Sequence, residues 1–266
     1  RPPSSTQSGK AGIAPLSRRR PTVGRMSSSN RIGMYASTIF PAAILDNLPN
    51  FQLGSKEAVT YYIKHYARLY PSSHLSNAKD LLNYPADIWL FSQTKDEKLA
   101  PGSAKQYRKS LTEIDSFITD ETANYTLSTS NLLSLLKAID NLLGKYISKI
   151  NTYTQEHNSE FLEFNADDLF YKTQGIAYTT HYLLSGLAKD YQQQIVSAEQ
   201  YENLTSILKF LSDAVKLNPL IIKSATQNDS YSANHLIYLA YYLLQAQNHL
   251  KEVRYNIFLQ KQEFVQ

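Results

Sequence analysis

The stretch that decides the fold is LLSLLKAIDNLLGKYISKI, residues 132–150. Its apolar residues recur in alternating steps of four and three positions, and this spacing places them on one side of an α-helix. These residues are Leu132, Leu136, Ile139, Leu143, Tyr146 and Ile150. The pattern predicts an amphipathic helix whose apolar stripe is buried against other helices.

The same spacing recurs along most of the chain after residue 36. A second long stripe consists of Leu236, Leu239, Leu243, Ala246, Leu250, Val253 and Ile257, and a shorter one of Tyr107, Leu111, Ile114 and Ile118. Further stripes lie in 59–69, 176–187 and 204–215. No strand series with a period of two is convincing, and WLF at 89–91 is too short to predict one. The sequence therefore predicts an all-α, bundle-like single domain of about six or seven helices.

Composition limits the classes of protein that this chain can represent. The 266 residues suffice for one large domain. Tyrosine is abundant, with 20 residues against 10 phenylalanines, and we expect most of these rings to pack between helices with their hydroxyls hydrogen-bonded. The chain contains no cysteine, which excludes disulfides, thiolate catalysis and cysteine metal sites.

The first 36 residues form a basic arm that differs from the rest of the chain. They hold seven basic residues and no acid, whereas the remaining residues hold 20 basic and 23 acidic residues. Because this segment is rich in proline, glycine and serine, we interpret 1–36 as a flexible arm or linker and 37–266 as the α-helical domain. The arginines Arg18, Arg19, Arg20 and Arg25 would attract phosphate, and the segment also resembles a transit peptide. We favour a linker over a nucleic-acid site, because the run SRRRPTVGR has no aromatic side chain on which a base could stack.

The common catalytic and cofactor motifs are absent from the sequence. There is no glycine-rich phosphate loop, no nucleophile elbow and no HExxH zinc motif. His235 and His249 lie on a similar helix face, but 14 residues separate them by about 21 Å, too far to share a metal. We therefore predict no metal site and no cofactor.

Three polar islands interrupt the apolar pattern: ILDNLPNFQLG at 44–54, LLNYPADIWLF at 81–91 and FNADDLFY at 164–171. Each combines an acid and an asparagine with a proline or aromatic residues. Pro49 disfavours a helical conformation at the preceding residue, so DNLPN predicts a turn. Ser103 and Gln106 have the spacing of a capping box, which predicts a helix start at Ser103.

The acids in these islands have two interpretations. In the structural one, the Asp and Asn side chains satisfy backbone groups of their own loops. In the chemical one, Asp46, Asp87 and Asp168 converge as general acid and base or hold a hard cation. We favour the structural interpretation, because helix capping already accounts for the acids near residue 168.

Four motifs, LDNLPNFQLG, LNYPADIW, ADDLFY and NHL at 234–236, occur in an order that resembles the bacterial family catalogued as domain of unknown function 2333. The resemblance spans roughly residues 37–258 and leaves out the arm. It implies an envelope-associated protein with an N-terminal membrane helix, a body outside the cytoplasm and no assigned activity. The motif positions that it marks are Asp46, Asn47, Pro49, Asn50, Asn83, Pro85, Asp87, Trp89, Asp168, Tyr171, Asn234 and His235.

The resemblance and the sequence together give an expected location. No stretch reaches the ~18 apolar residues that a membrane span needs, and the chain begins with Arg1. We expect a fragment or processed form that is periplasmic and anchored to the inner membrane by a segment not present in this chain.

The leading functional hypothesis is a non-catalytic envelope protein that acts through contacts with other envelope proteins. Its contact surfaces would be the tyrosine-rich faces with Tyr61, Tyr62 and Tyr66 and with Tyr238, Tyr241 and Tyr242. The alternative is a hydrolase or ligand-binding protein whose site is built from Asp46, Asp87 and Asp168. In either case Asn47, Asn50, Asn83, Trp89, Tyr171, Asn234 and His235 are candidate binding residues.

Overall fold

The computed structural model describes residues 42–86, 88, 91–93, 99–120, 127–156, 164–217 and 235–263. Within these ranges the fold is all-α, as predicted, with eight helices. They are α1 Ala42–Leu69, α2 Ser73–Leu82, α3 Ser103–Thr119, α4 Thr129–Glu156, α5 Phe164–Asp190, α6 Gln192–Ser197, α7 Tyr201–Lys216 and α8 His235–Glu263. The predicted basic arm at 1–36 lies outside the described residues.

A small β-ladder interrupts the helices. Strand β1, Phe91–Gln93, pairs antiparallel with strand β2, Leu99–Pro101. The sequence pattern was too short to predict β1. Because each strand has three residues, the ladder extends the α2–α3 connection and leaves the fold class unchanged.

The two long apolar stripes predicted from the sequence are both buried. All six stripe residues of α4 and all seven of α8 belong to the hydrophobic core. The two helices run antiparallel, because Ser130 near the start of α4 contacts Lys261 near the end of α8, whereas Asp140 contacts Arg254. Together, α4 and α8 form one wall of the bundle.

The long helices surround a common core in the order α1, α5, α7, α8 and α4. Helices α1 and α5 run parallel, because the pairs Asn50–Asp168 and Tyr62–Thr180 both join residues 118 positions apart. Helix α4 is antiparallel to α1, since Lys145 contacts Glu57, whereas Asn131 near the start of α4 contacts Tyr70 just beyond the end of α1. A closed ring of five helices cannot alternate direction throughout, so at least one neighbouring pair must be parallel, and here it is α1–α5.

Two glycines allow the parallel helices α1 and α5 to pack closely. A Cβ added at Gly54 would lie 1.9 Å from the carbonyl oxygen of Lys172, and one at Gly175 would lie 2.1 Å from that of Phe51. Both distances are far below van der Waals contact and involve backbone atoms. The close packing of α1 on α5 therefore requires glycine at both positions.

The turn predicted at DNLPN is wrong, because Pro49 lies inside α1. A proline in a helix removes one backbone hydrogen bond and introduces a local clash with the carbonyl of the residue four positions earlier. The loss is confined to the carbonyl of residue 45. The helix continues through this defect because the following turns pack against α5 around Gly54.

The stripe predicted for α3 is also partly wrong. Leu111 is 51% exposed, whereas its neighbour Ser110 is fully buried. The Ser110 hydroxyl donates a hydrogen bond to the carbonyl of Ala78 on α2. This contact lets a serine occupy the inner face, so hydrophobicity alone misplaced one residue, Leu111, while Ile114 is buried as predicted.

Most of the buried tyrosines serve packing between helices, as expected. The Tyr62 hydroxyl lies 2.7 Å from that of Thr180, and the Tyr70 and Tyr191 hydroxyls lie 3.3 Å apart. Tyr62 and Tyr66 are almost wholly buried. The prediction that they belong to an exposed contact face is therefore wrong, because the parallel α1–α5 packing covers them.

Candidate functional site

Two of the three polar islands meet at the α1–α5 pair. The Asn50 side-chain amide donates a hydrogen bond to the Asp168 carboxylate, and Asp168 is exposed. Asp46 lies one turn before Asn50 in α1, and the side chains of Asp46 and Asn47 lie outside the described part of the structure. The structure thus brings the first and third islands together through Asn50 and Asp168.

The second island is held by hydrogen bonds to α1 and α3. The Ser103 hydroxyl donates to the carbonyls of Pro85 and Ile88, while Lys56 and Tyr107 both donate to the carbonyl of Tyr84. These contacts satisfy the backbone, as the structural interpretation expects for this island. Asp87 and Trp89 lie outside the described residues.

The capping box predicted at Ser103 is wrong in its detail. Helix α3 does begin at Ser103, but the residue that caps it is Gly102, and no side chain completes the cap. The Ser103 hydroxyl is instead engaged by the second island. The spacing predicted the helix start correctly. The Ser103 hydroxyl, however, bonds carbonyls of the preceding loop and does not cap the helix.

The remaining candidate binding residues do not cluster. Asn83 is the exposed C-cap of α2, and His235 begins α8. Tyr171 packs edge-on against Phe170, and burial, together with the Asp167 charge, raises its pKa. Asn234 lies outside the described residues, and among the candidates whose side chains are described the contact found is that of Asn50 with Asp168.

A charged cluster that the sequence analysis missed joins α1, α4 and α5. The Glu57 carboxylate lies 2.7 Å from the Lys145 ammonium and 3.1 Å from that of Lys172. The buried Tyr146 hydroxyl lies beside it without a hydrogen bond of good geometry. Burial alone would raise the pKa of Glu57, but the donors facing it from Lys145, Tyr146 and Lys172 prevail and lower it to about 2.

A second lysine of α4 extends this cluster. The Lys149 ammonium lies 5.0 Å from the centre of the Tyr146 ring, and that of Lys145 lies 5.6 Å from the same centre. Burial and the Lys145 charge lower the pKa of Lys149. We call Glu57, Lys145, Tyr146, Lys149 and Lys172 the lysine cluster.

A buried polar group links α4 and α8. Asp140 accepts from Arg254 at 2.6 Å and from the Gln247 side chain at 2.8 Å. A Cβ at Gly144 would lie 2.9 Å from the Gln247 amide nitrogen, so this glycine makes room for Gln247. Because every partner comes from within the bundle, we interpret the group as structural.

Two surface features remain. An open groove of about 700 Å³ lies between α2 and α3, lined by Asn77, Asp80, Leu81, Tyr84, Lys109, Thr112 and Glu113. The outer face of α8 is the second: it exposes Tyr238, Tyr241, Leu244, Tyr255, Phe258 and Leu259, each between 39% and 61%. Tyr238 and Tyr241 of this face were among the predicted contact residues, whereas Tyr242, the third, is half-buried against the core.

Neither a metal site nor a membrane-spanning helix is found in the ranges that the structure describes. No three His, Cys, Asp or Glu side chains there are grouped as metal ligands. None of the helices in these ranges combines the length and the apolar character that a bilayer span requires.

Comparison of the chain with protein-family models, with curated proteins and with solved structures gave no match. The resemblance to domain of unknown function 2333, and the envelope location that it implies, therefore remain predictions from the sequence motifs.

Proposed function

We propose that the protein is a non-catalytic component of the cell envelope that acts through contacts with another envelope protein, and that the outer face of α8 is its contact surface. The observation that carries this proposal is the exposure of large apolar side chains on a helix whose opposite stripe is fully buried. Large apolar side chains grouped on an exposed face often mark a binding site, and this face carries two such groups, one near each end.

The form of this face favours a partner helix laid along α8. Residues 238–259 extend about 32 Å along the helix axis. Aromatic and aliphatic side chains occupy both ends, and polar residues such as Asn248, Lys251 and Glu252 occupy the middle. Within each end group the apolar residues are three or four positions apart, a spacing typical of helix–helix recognition, and tyrosine is favoured at interfaces.

The envelope part of the proposal is supported by the sequence resemblance. The chain would lie in the periplasm, held near the inner membrane by a segment upstream of the sequence. Fractionation of cells that express the full-length protein tests this part, with a membrane or periplasmic pool expected. Recovery of the protein in the cytosol alone would contradict it.

Site-specific photo-crosslinking tests the contact surface. A photoreactive phenylalanine analogue at Phe258 or Tyr241 should give a crosslinked species of defined mass in cells. The same analogue at Tyr201, which is 67% exposed at the start of α7, is the matched control and should give none. A product of twice the chain mass would identify a second copy as the partner, and absence of products at both α8 positions would refute the proposed surface.

One observation supports the alternative function, a hydrolase or ligand-binding protein whose site is built from Asp46, Asp87 and Asp168. Asn50 and Asp168 join two islands at an exposed position, and Asp46 lies one helical turn from Asn50. If this alternative holds, Asp168→Asn should abolish ligand binding or hydrolysis while crosslinking at Phe258 is unchanged. The control is Asp213→Asn at a half-buried position of α7 outside the islands.

A further inference from the structure

We propose that the lysine cluster binds an anion of the phosphate class, either free phosphate or the phosphate of a larger molecule. The cluster lies where three helices meet: Glu57 comes from α1, Lys145 and Lys149 from α4, and Lys172 from α5. This site is separate from the outer face of α8, and the proposal does not depend on the proposed function.

The first argument is the balance of charge. The cluster holds three ammonium groups and one carboxylate, which is an excess of two positive charges, and the Glu57 charge acts on Lys149 as well as on the two lysines that it bonds. Glu57 is bonded to both Lys145 and Lys172. Asp168, one turn before Lys172 on α5, keeps its negative charge but is bonded to Asn50, and among the described residues it forms no ion pair with a lysine of the cluster. Among the described residues no carboxylate pairs with Lys149, so its charge is available to a ligand.

The second argument is that the cluster is already ordered. Glu57 is largely buried, with a side-chain exposure of 28%, and it fixes the ammonium groups of Lys145 and Lys172 from one side. The fully buried Tyr146 ring supports Lys145 and Lys149. Since the lysines are held by contacts within the bundle, binding an anion would cost little side-chain entropy.

The third argument is access and chemical fit. The side chains of Lys145 and Lys172 are 49% and 35% exposed, and Lys149 is exposed, so an anion can approach from solvent. Each ammonium offers several donors without a fixed plane, which suits the oxygens of a tetrahedral anion. A doubly charged anion would balance the excess charge, whereas chloride or a single carboxylate would not.

The test is calorimetric titration of the full chain with inorganic phosphate at constant ionic strength, using chloride as the reference. We expect saturable binding at one site. Lys149→Gln should weaken it at least tenfold, because it removes the lysine without a carboxylate partner and breaks no ion pair. Lys209→Gln, which removes an exposed lysine of α7 outside the cluster, should change it less than twofold.

A second arm distinguishes the source of the phosphate. The same variants are mixed with vesicles containing an anionic phospholipid, and binding is followed by co-sedimentation. Vesicle binding that is lost in Lys149→Gln and competed by free phosphate identifies a lipid headgroup; phosphate binding without vesicle binding identifies a soluble ligand. Absence of saturable binding in both arms, or equal losses in Lys149→Gln and Lys209→Gln with unchanged unfolding curves, would overturn the proposal.

Discussion

Asn50 on α1 donates a hydrogen bond to Asp168 on α5, and this pair fixes the register of two parallel helices. Twelve residues further along both helices, Tyr62 meets Thr180 at the same sequence separation. Parallel helices align their dipoles unfavourably. Close packing of α1 on α5 must therefore offset this cost, and Gly54 and Gly175 allow that packing.

Substitution of Gly175 by alanine tests this packing. The new Cβ would lie 2.1 Å from the Phe51 carbonyl oxygen and 2.8 Å from the Ser55 nitrogen. Because both atoms belong to the backbone, α1 and α5 would have to separate. We expect Gly175→Ala to lower the free energy of unfolding by about 3 kcal/mol, measured by urea denaturation.

Gly144→Ala is the matched control. Gly144 is also inside a helix, but its added Cβ would meet only the Gln247 side chain, at 2.9 Å. A side chain can shift, and alanine favours the helix by about 1 kcal/mol over glycine. If Gly175→Ala were no more destabilising than Gly144→Ala, the close approach of α1 and α5 would be refuted.

Hydrophobic periodicity predicted α4 and α8 well because every position of their two stripes is apolar, although Asp140 and Gln247 are buried beside those stripes. The predictions from the sequence failed where a polar side chain is buried on the inner face of a helix and where a proline lies within a helix. Ser110 is buried because its hydroxyl reaches the Ala78 carbonyl, and Pro49 remains helical because tertiary contacts outweigh its local preference. Both errors arise from contacts with elements distant in the chain, which a local pattern does not contain.

The lysine cluster could not be predicted from the sequence, for a related reason. Lys145 and Lys149 are four residues apart and flank a stripe residue, which is a visible sign that they share one edge of α4. Nothing in the sequence placed Glu57 and Lys172 at the same level. That convergence follows from the parallel register of α1 and α5 together with the antiparallel α4, which only the assembled bundle defines.

The second prediction concerns the tyrosine contacts between helices. Tyr62→Phe should cost about 1 kcal/mol, because the fully buried Thr180 hydroxyl loses its partner. Tyr238→Phe, at a position that is 55% exposed, should change the free energy of unfolding by less than about 0.5 kcal/mol. Equal effects in thermal or urea denaturation would show that the Tyr62 hydroxyl bond does not contribute to stability.

The third prediction is an acid dependence caused by Glu57. Its pKa is lowered from 4.5 to about 2 in the folded protein, so the unfolded chain binds this proton more readily. The stabilisation is present above pH 4.5 and is lost as the pH falls towards 2. We expect it to amount to about 2 kcal/mol, allowing for the partial exposure of the carboxylate.

Comparison of wild type with Glu57→Gln measures this contribution. Urea denaturation between pH 7 and pH 2.5 should show a smaller loss of stability in the variant as the medium becomes acidic. Asp213→Asn, which removes a carboxylate that is as exposed as Glu57 but has only the solvent-exposed Lys216 at 3.8 Å as an ion-pair partner, serves as the control and should follow the wild type. Parallel acid profiles for wild type and Glu57→Gln would contradict the lowered pKa.

The last prediction concerns the ion pair between the buried Asp140 and the half-buried Arg254. Arg254→Met leaves the Asp140 carboxylate, whose side chain is only 12% exposed, with Gln247 as its remaining side-chain partner. Loss of one member of a buried ion pair costs about 3 kcal/mol, whereas replacement of both members by apolar residues costs much less. Asp140→Leu combined with Arg254→Met should therefore be more stable than the sum of the single losses implies, as a double-mutant cycle by urea denaturation would show.

The control is Lys216→Met, which breaks the surface pair with Asp213 and should cost less than about 0.5 kcal/mol. A loss no larger than this in Arg254→Met would mean that the ion pair of Asp140 and Arg254 does not hold α4 against α8.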